Sequence, residues 1–580
     1  MKHINLKHAI VLGLLLSTST YSAVFAESLD EFKGTAVDGK VMVTENKTVT
    51  GDSNHLSFGG TNNSIYGVAV DVSEGKTLTL TDVNVTNPTI TGNGNIFINN
   101  SGNAGAVVTD TGNGFGSITS NNVTITAAGS GIDAYGGTFN VKLNDTLDIT
   151  AGGIGAQEDG ENPNNASVIN IEADKLLVNA SKQGIYLTNA SVKQGIDIKL
   201  TNGAVITSTT RDNGGEAAIQ NSNQCKGTLT IHTEQGDISA SGVYAGAWAT
   251  YGSSIVLTAD NTKLVGNYGI LNDNNRNESE ISNITTNAKN GNNTVTAKTD
   301  GIRNFGGIVK LTADNGINNI TAARYGTYAS GTNSKVTLSA KENKITVVGT
   351  TNGATGIYAD TEATQVINSK ASSSIEVSAE KGDVYGIHAD AGGQVVTEEG
   401  KTIGSLDIKA TNATTENDGR LAGILAGTVA NKENLGAVVD LDVINNISIN
   451  VETAASQGSG IEVNKNGSVN INSAEGNIDI SSSFLSSIEN PTGKTYGIYV
   501  KETGDLDLTA EKGDITITSG DIKTVAVDDV DTDFGSAYGI YAVNSSDVTL
   551  NAGNQNTALG AVYAGGKASD KTTAVSLIGG

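Results

Sequence analysis

Few residues in this chain have types and spacings suited to chemistry. Gly51-Asp52-Ser53 has the form of a serine-nucleophile turn. Trypsin-like use needs Gly after the Ser, where Asn54 stands, and a separate His and Asp to activate the hydroxyl. An esterase of the SGNH kind needs Asp-x-x-His downstream of Ser53, and none follows. Ser53 therefore reads as a polar turn before a strand. Hydrolysis of a polysaccharide needs two carboxylates at a fixed separation across one face. Asp and Glu are plentiful, but no tight Asp-Asp motif coincides with a Gly-His-Gly turn. A lyase using Arg as base would have only Arg211, Arg276, Arg303, Arg324 and Arg420 to draw on. His388 sits in Gly-Ile-His-Ala, where equivalent repeats place Tyr358, Tyr499 and Tyr541, so it reads as a surface residue at a repeat position.

Metal and thiol chemistry fare no better. Asp528-Asp529-Val530-Asp531-Thr532-Asp533-Phe534-Gly535 concentrates oxygen ligands. Against a Ca²⁺ loop, its Gly is one place late and the distal Glu is missing. Cys225 is alone, so no intramolecular disulfide forms, and only His232 lies near it in sequence. The chain is read as non-enzymatic, with no cofactor, no metal and no catalytic residue.

Composition points to a different kind of molecule. Of 580 residues, 72 are Gly and only 3 are Pro, while aromatics make up 4% and apolar residues 37%. That supply is too small for wide globular cores and suits a thin core repeated along a rod. Collagen is excluded, since Gly falls far below one residue in three. Disorder is excluded because Pro is scarce and β-branched residues abound. The net charge of −25 argues against nucleic acid and against anionic membranes.

Residues 1–26 read as a secretory signal peptide. Lys2 and Lys7 precede the apolar run Ala9–Leu16, and Val24-Phe25-Ala26 fits the cleavage pattern, placing the cut between Ala26 and Glu27. Cleavage removes two Lys and no acid, taking the net charge to −27.

Self-similarity is the strongest signal. A Gly-led apolar element recurs with its Gly at 269, 301, 326, 356, 386, 423, 460, 497 and 539, as in Gly356-Ile357-Tyr358-Ala359. The intervals are 32, 25, 30, 30, 37, 37, 37 and 42 residues. A period-2 strand recurs as a second element, such as 334–340 or 504–510, and often a third follows at once, such as 514–518. Three short strands per repeat, split by Gly, Asn, Asp or Ser turns, cannot bury their apolar faces alone. Stacked as parallel coils about 4.8 Å apart they can. Roughly 20 to 27 coils would give a rod on the order of 100 Å. Asn-rich turns suit left-handed backbone and stacked side-chain ladders. Within Gly-Ile-Tyr-Ala, Ile357 and Ala359 share one face and Tyr358 takes the other. Tyr358, Tyr499 and Tyr541 then line an outward aromatic stripe, either adhesive or a ladder that shields backbone.

The expected fold is all-β, an elongated right-handed parallel β-helix with about three strands per coil, the handedness resting on fold analogy. Residues 27–60 lack the Gly-Ile-Tyr element and are expected to cap it. Residues 61–580 form the repeats, which stop without a visible capping unit, as if cut.

Signal peptide, composition, scarce Cys and repeat style together resemble the passenger of a type V secretion autotransporter of the adhesin-like kind. The resemblance covers about residues 27–580 and rests on no invariant motif. It implies Sec export, passage through an outer-membrane β-barrel, and display at the cell surface or release outside the cell. It also implies adhesion to an unidentified glycan or protein of a host or bacterial surface. The family's C-terminal barrel, with its aromatic girdles, is not in this sequence. The chain is thus read either as a fragment or as a two-partner protein. The Asn-Pro-Asn-Gly mark of the latter has only Asn162-Pro163-Asn164-Asn165 as its nearest match. A β-helix polysaccharide lyase or hydrolase and a passive surface stalk are the alternatives.

Overall fold

The computed structural model describes residues 27–51, 69–83, 85–101, 106–109, 114–157, 167–188, 195–209, 216–222, 226–274, 281–350, 353–412, 419–427, 435–453, 457–484, 493–520, 536–559, 561–565 and 574–579. Ala26, Ser53, Cys225, Arg211, Arg276 and the motifs at 162–165 and 528–535 lie outside them, as does residue 1–25.

Alternation decides the local structure. In Asp505–Ala510 (DLDLTA), Leu506, Leu508 and Ala510 are buried and the residues between them face out. Such a strand has one dry face and needs neighbours on both edges. It finds them a full repeat away: Leu441, Ile471, Leu508 and Leu550 are register partners in successive strands, all parallel.

The result is an all-β, solenoid-like stack of three parallel ladders. The first ladder collects the Gly-Ile-Tyr strands, seventeen from Val85–Thr86 to Ala561–Gly565 among the described residues. The second runs from Lys40–Val43 to Ala574–Gly579 with nineteen rungs among the described residues. That is about 90 Å of stack. The third runs from Glu27–Ser28 to Asn556–Leu559. Some strands of the second and third ladders merge, as in Lys335–Gly349, where the register shifts between Ala340 and Glu342 to turn the corner.

The core between the ladders is columns of like residues. Ile357, Ile387, Ile424, Ile461, Ile498 and Ile540 stack in the first ladder, each with no exposed surface. Ile408, Ile449, Ile480 and Ile517 stack in the third. The two columns explain the repeated Gly. A Cβ on Gly386, Gly423, Gly460 or Gly497 would lie 2.3 Å from Cγ2 of Ile408, Ile449, Ile480 or Ile517 respectively. No real Cβ fits there, so the motif keeps Gly for close packing rather than for a turn.

Asn ladders satisfy the corners, as the composition suggested. At one corner the amide Nδ2 of Asn293 donates to Asn318 Oδ1 (2.8 Å), and Asn318 Nδ2 donates to Asn343 Oδ1 (3.0 Å). Asn343 Nδ2 donates onward to the Asn368 carbonyl (2.8 Å). All three Asn are buried, so each bond satisfies groups that would otherwise be stranded away from water. Left-handed turn positions include Asn466 and Asn544, but also Thr361, Glu362 and Thr503, where the stack overrides intrinsic preference.

The ladders reach into the segment expected to be cap. Lys40–Val43 pairs with Ala69–Val72, and Glu27–Ser28 pairs with Val49 and Thr50. Within that segment lies the short helix Leu29–Gly34, started by a Ser28/Glu31 capping box. Its Phe32 is fully buried in the main core.

Candidate contact face

The outward side of the first ladder differs from the rest of the surface. Strand alternation turns the residue after each core position away from the core, where Leu271, His388, Leu425 and Glu462 are nonetheless covered by their neighbours. Stacking turns those residues into one column: Trp248, Leu271, Arg303, Tyr328, Tyr358 and His388, then Leu425, Glu462, Tyr499 and Tyr541. Three residues earlier in each strand runs a parallel column that includes Tyr325, Tyr385, Tyr496 and Tyr538.

Tyr358, Tyr499 and Tyr541 therefore do share one outward column, and each is half-buried. They do not form one continuous stripe. His388, Leu425 and Glu462 stand between Tyr358 and Tyr499, which splits the aromatics into two islands.

The first island begins with Tyr244 packed edge-on to Trp248 and Tyr268, both at 5.3 Å between ring centres. It continues through Phe305 and Tyr328 (5.5 Å, 87° between planes) and Tyr325 against Tyr328 (5.1 Å) to Tyr358. Tyr358 stacks on the His388 imidazole at 4.5 Å with planes 3° apart. The second island is Tyr496, Tyr499, Tyr538 and Tyr541, with Tyr496 and Tyr499 stacked at 4.6 Å and Lys501 over the Tyr499 ring. Burial pushes the phenols of Tyr325, Tyr328, Tyr358 and Tyr499 up, so these rings stay neutral at physiological pH.

Every described arginine lies on this face. Arg324 holds the fully buried Asp300 by two hydrogen bonds, Nε to Oδ1 at 2.8 Å and Nη2 to Oδ2 at 2.6 Å. Arg303 Nη1 is 3.6 Å from the same carboxylate, and its guanidinium lies over the rings of Phe305 (4.7 Å) and Tyr268 (5.5 Å). Arg420 pairs with the fully buried Glu462, its Nε donating to Oε2 at 2.9 Å, while its backbone N–H donates to Asp383 Oδ1 (2.8 Å). Sequence reasoning weighed these arginines only as lyase bases. A usable signal was present, because Arg303 lies inside a Gly-Ile element and Arg324 and Arg420 directly precede one.

His388 holds its repeat position but is buried, 6% exposed, where a surface residue was expected. Burial pushes its imidazole down to about 3, and its Nε2 makes no hydrogen bond.

A separate polar knot lies nearer the start of the same face. Tyr186 Oη donates to Asp133 Oδ1 (2.7 Å) across two rungs, and Gln157 Nε2 donates to Tyr186 Oη (2.9 Å). The intervening rung offers Gly155, over which the Tyr186 ring lies: a Cβ there would be 2.1 Å from Tyr186 Cζ. Burial pushes Asp133 up, against the lowering effect of these hydrogen bonds.

Chemically the face offers aromatic rings, ion-paired guanidiniums and amide donors. Among the described residues, no group of three or more His, Cys, Asp or Glu is gathered as a metal site would require. No helix among them is long and apolar enough to cross a membrane, which says nothing about β-barrels. Comparison with protein-family models, with curated proteins and with solved structures finds no match.

Proposed function

We propose that the chain is an adhesin-like rod, the passenger of a type V secretion autotransporter. In this reading it is exported through the Sec route and displayed at the cell surface, with its three ladders wound as a right-handed parallel β-helix. The supporting observation is the concentration of rings and of every described arginine on the outward side of one ladder. Outward positions elsewhere are mostly Thr, Ser, Asn, Asp, Glu and Lys, as in Thr337, Ser339, Asn470 and Asp507. Aromatic residues and Arg are the types that dominate binding energy at interfaces. Many copies on one surface would sum weak contacts by avidity.

The test replaces Tyr325, Tyr328, Tyr499 and Tyr541 with Ser in rods displayed on cells through a fused outer-membrane barrel. An adhesive face predicts loss of cell binding with an unchanged far-ultraviolet circular dichroism spectrum. The near-parallel Tyr358–His388 stack favours a second reading, a passive stalk whose rings stiffen the rod. That reading predicts loss of the β spectrum together with binding, or retained adhesion once the rings are gone.

A further inference from the structure

The first island has a regular geometry that narrows what it could hold. Its rows repeat once per rung, about every 4.8 Å. They run straight, because Trp248, Leu271, Arg303, Tyr328 and Tyr358 are direct register partners. A polymer that meets every rung must be extended and must advance by a similar step per unit. A β-1,4-linked hexose chain does so as a flat ribbon, whereas an α-linked chain coils away from a straight row.

The side chains present suit the two surfaces of a sugar. Tyr244, Trp248, Tyr268, Phe305, Tyr325 and Tyr328 are all half-buried; Tyr244 meets Trp248 and Tyr268 edge-on and Phe305 meets Tyr328 edge-on, while Tyr325 stacks on Tyr328. They can take the apolar C–H face of a pyranose. Arg303 and Arg324 remain 27% and 36% exposed while gripping Asp300, and a guanidinium held this way presents adjacent donors to neighbouring hydroxyls. Trp248 Nε1 and Arg303 Nε have no hydrogen-bond partner, which leaves two buried donors on this face without an acceptor.

Charge selects the class of polymer. Both arginines lean on one buried carboxylate, and the whole chain carries −25. The pair exceeds that carboxylate by a single charge, and the strongly acidic chain around it disfavours a polyanion. Beside the second island, Arg420 is only 20% exposed and is spent on the fully buried Glu462 one rung from Tyr499, and Lys501 lies over the Tyr499 ring, so this island offers less of the hydroxyl-binding half of the arrangement.

We propose that the island from Trp248 to Tyr358 binds a neutral β-1,4-linked polysaccharide laid along the rod axis, about one sugar per rung. This rests on the reading of the first ladder as the contact face, and it names the ligand class of that face.

Trp248 is the only Trp in the chain, so its fluorescence reports on this island directly. The full chain would be titrated with β-1,4-linked glucose and mannose oligomers of two to about eight sugars, followed by Trp fluorescence and by calorimetry. The Kd should fall with length and level off at about five sugars, one for each of the five rungs from Trp248 to Tyr358. It should not change between low salt and about 0.5 M salt. Tyr325→Ser/Tyr328→Ser should weaken binding by about tenfold or more with an unchanged circular dichroism spectrum. Tyr496→Ser/Tyr499→Ser should leave it unaltered. Failure of both neutral series to bind overturns the proposal, as does binding confined to hyaluronan oligomers with a steep salt dependence. If the neutral oligomers fail while Tyr325→Ser/Tyr328→Ser still abolishes cell adhesion, the contact face stands and the ligand class is wrong.

Discussion

Replacing Gly155 with Ala should break the Asp133 knot by expelling one side chain. The three atoms nearest a Cβ at this site all belong to Tyr186, at 2.1, 2.4 and 2.5 Å. The methyl and the ring cannot coexist, and the ring is the part free to swing out. Its departure removes the 2.7 Å hydrogen bond to Asp133, which is only 3% exposed. A hydrogen bond to such a group contributes about 1.5–3 kcal/mol, and re-exposing part of the Tyr186 ring adds about 1 kcal/mol. The expected local cost is therefore about 3 kcal/mol. In a stacked repeat such a loss stays near its site, so a global melting curve is the wrong readout. Native-state hydrogen exchange is better: amides of 132–135, 154–157 and 185–188 should exchange about 100-fold faster, those beyond 300 unchanged. The decisive comparison is Gly155→Ala in a Tyr186→Ala background. With the ring gone, the added methyl should cost nothing or stabilise slightly, since Ala loses less backbone freedom than Gly. Equal destabilisation in both backgrounds would refute the reasoning and place the clash in the backbone. The knot also sets a pH dependence. Burial raises Asp133 above its unfolded value, so its contribution is complete at acid pH and is lost as pH rises through the folded value. Asp133→Asn should flatten that dependence in the same amides.

Three further outcomes follow from single residues. Asn318→Ala should cost about 1–3 kcal/mol near the corner, because one Asn293 Nδ2 hydrogen loses its acceptor, while the bond to the Thr312 carbonyl remains, and Asn343 Oδ1 loses its donor; exchange of 293–297 and 342–349 would show it. Gly423→Ala should cost about 1–3 kcal/mol by driving a methyl against Ile449 Cγ2 and the Gly460 carbonyl; limited proteolysis around 421–463 should then cut faster. His388 has its folded value depressed to about 3, so its neutral form is stabilising above its unfolded value near 6.5 and that stability is lost as pH falls. His388→Tyr, the residue of the neighbouring rung, should keep the stack on Tyr358 and abolish this acid sensitivity, as read by exchange of 384–389 between about pH 7 and 4.

Much of the fold was legible because its rules are local. Period-2 alternation in stretches such as 504–510 names the dry face, and the recurring Gly-Ile pair names the first ladder. Abundant Asn with scarce large apolar residues names a thin core with polar corners. Those signals survive variable spacing, because extra residues leave at turns without disturbing the strands. The site was legible only in part. Alternation placed Tyr358, Tyr499 and Tyr541 on one outward column, but a single strand cannot say what occupies the same place one coil away.

What the sequence determined alone was strand content, the face each strand buries, and parallel stacking as the way to bury it. What the tertiary structure decided was which residues become neighbours. Asp133 meets Tyr186 across 53 positions, and Arg420 meets Glu462 across 42. Coil lengths differ, so no fixed offset predicts such pairs. Only the register of stacked strands selects them, and that register is set by burying like columns together along the whole rod. The same stacking gives the repeated Gly its reason, since the space it must leave empty is created by an Ile on a different ladder.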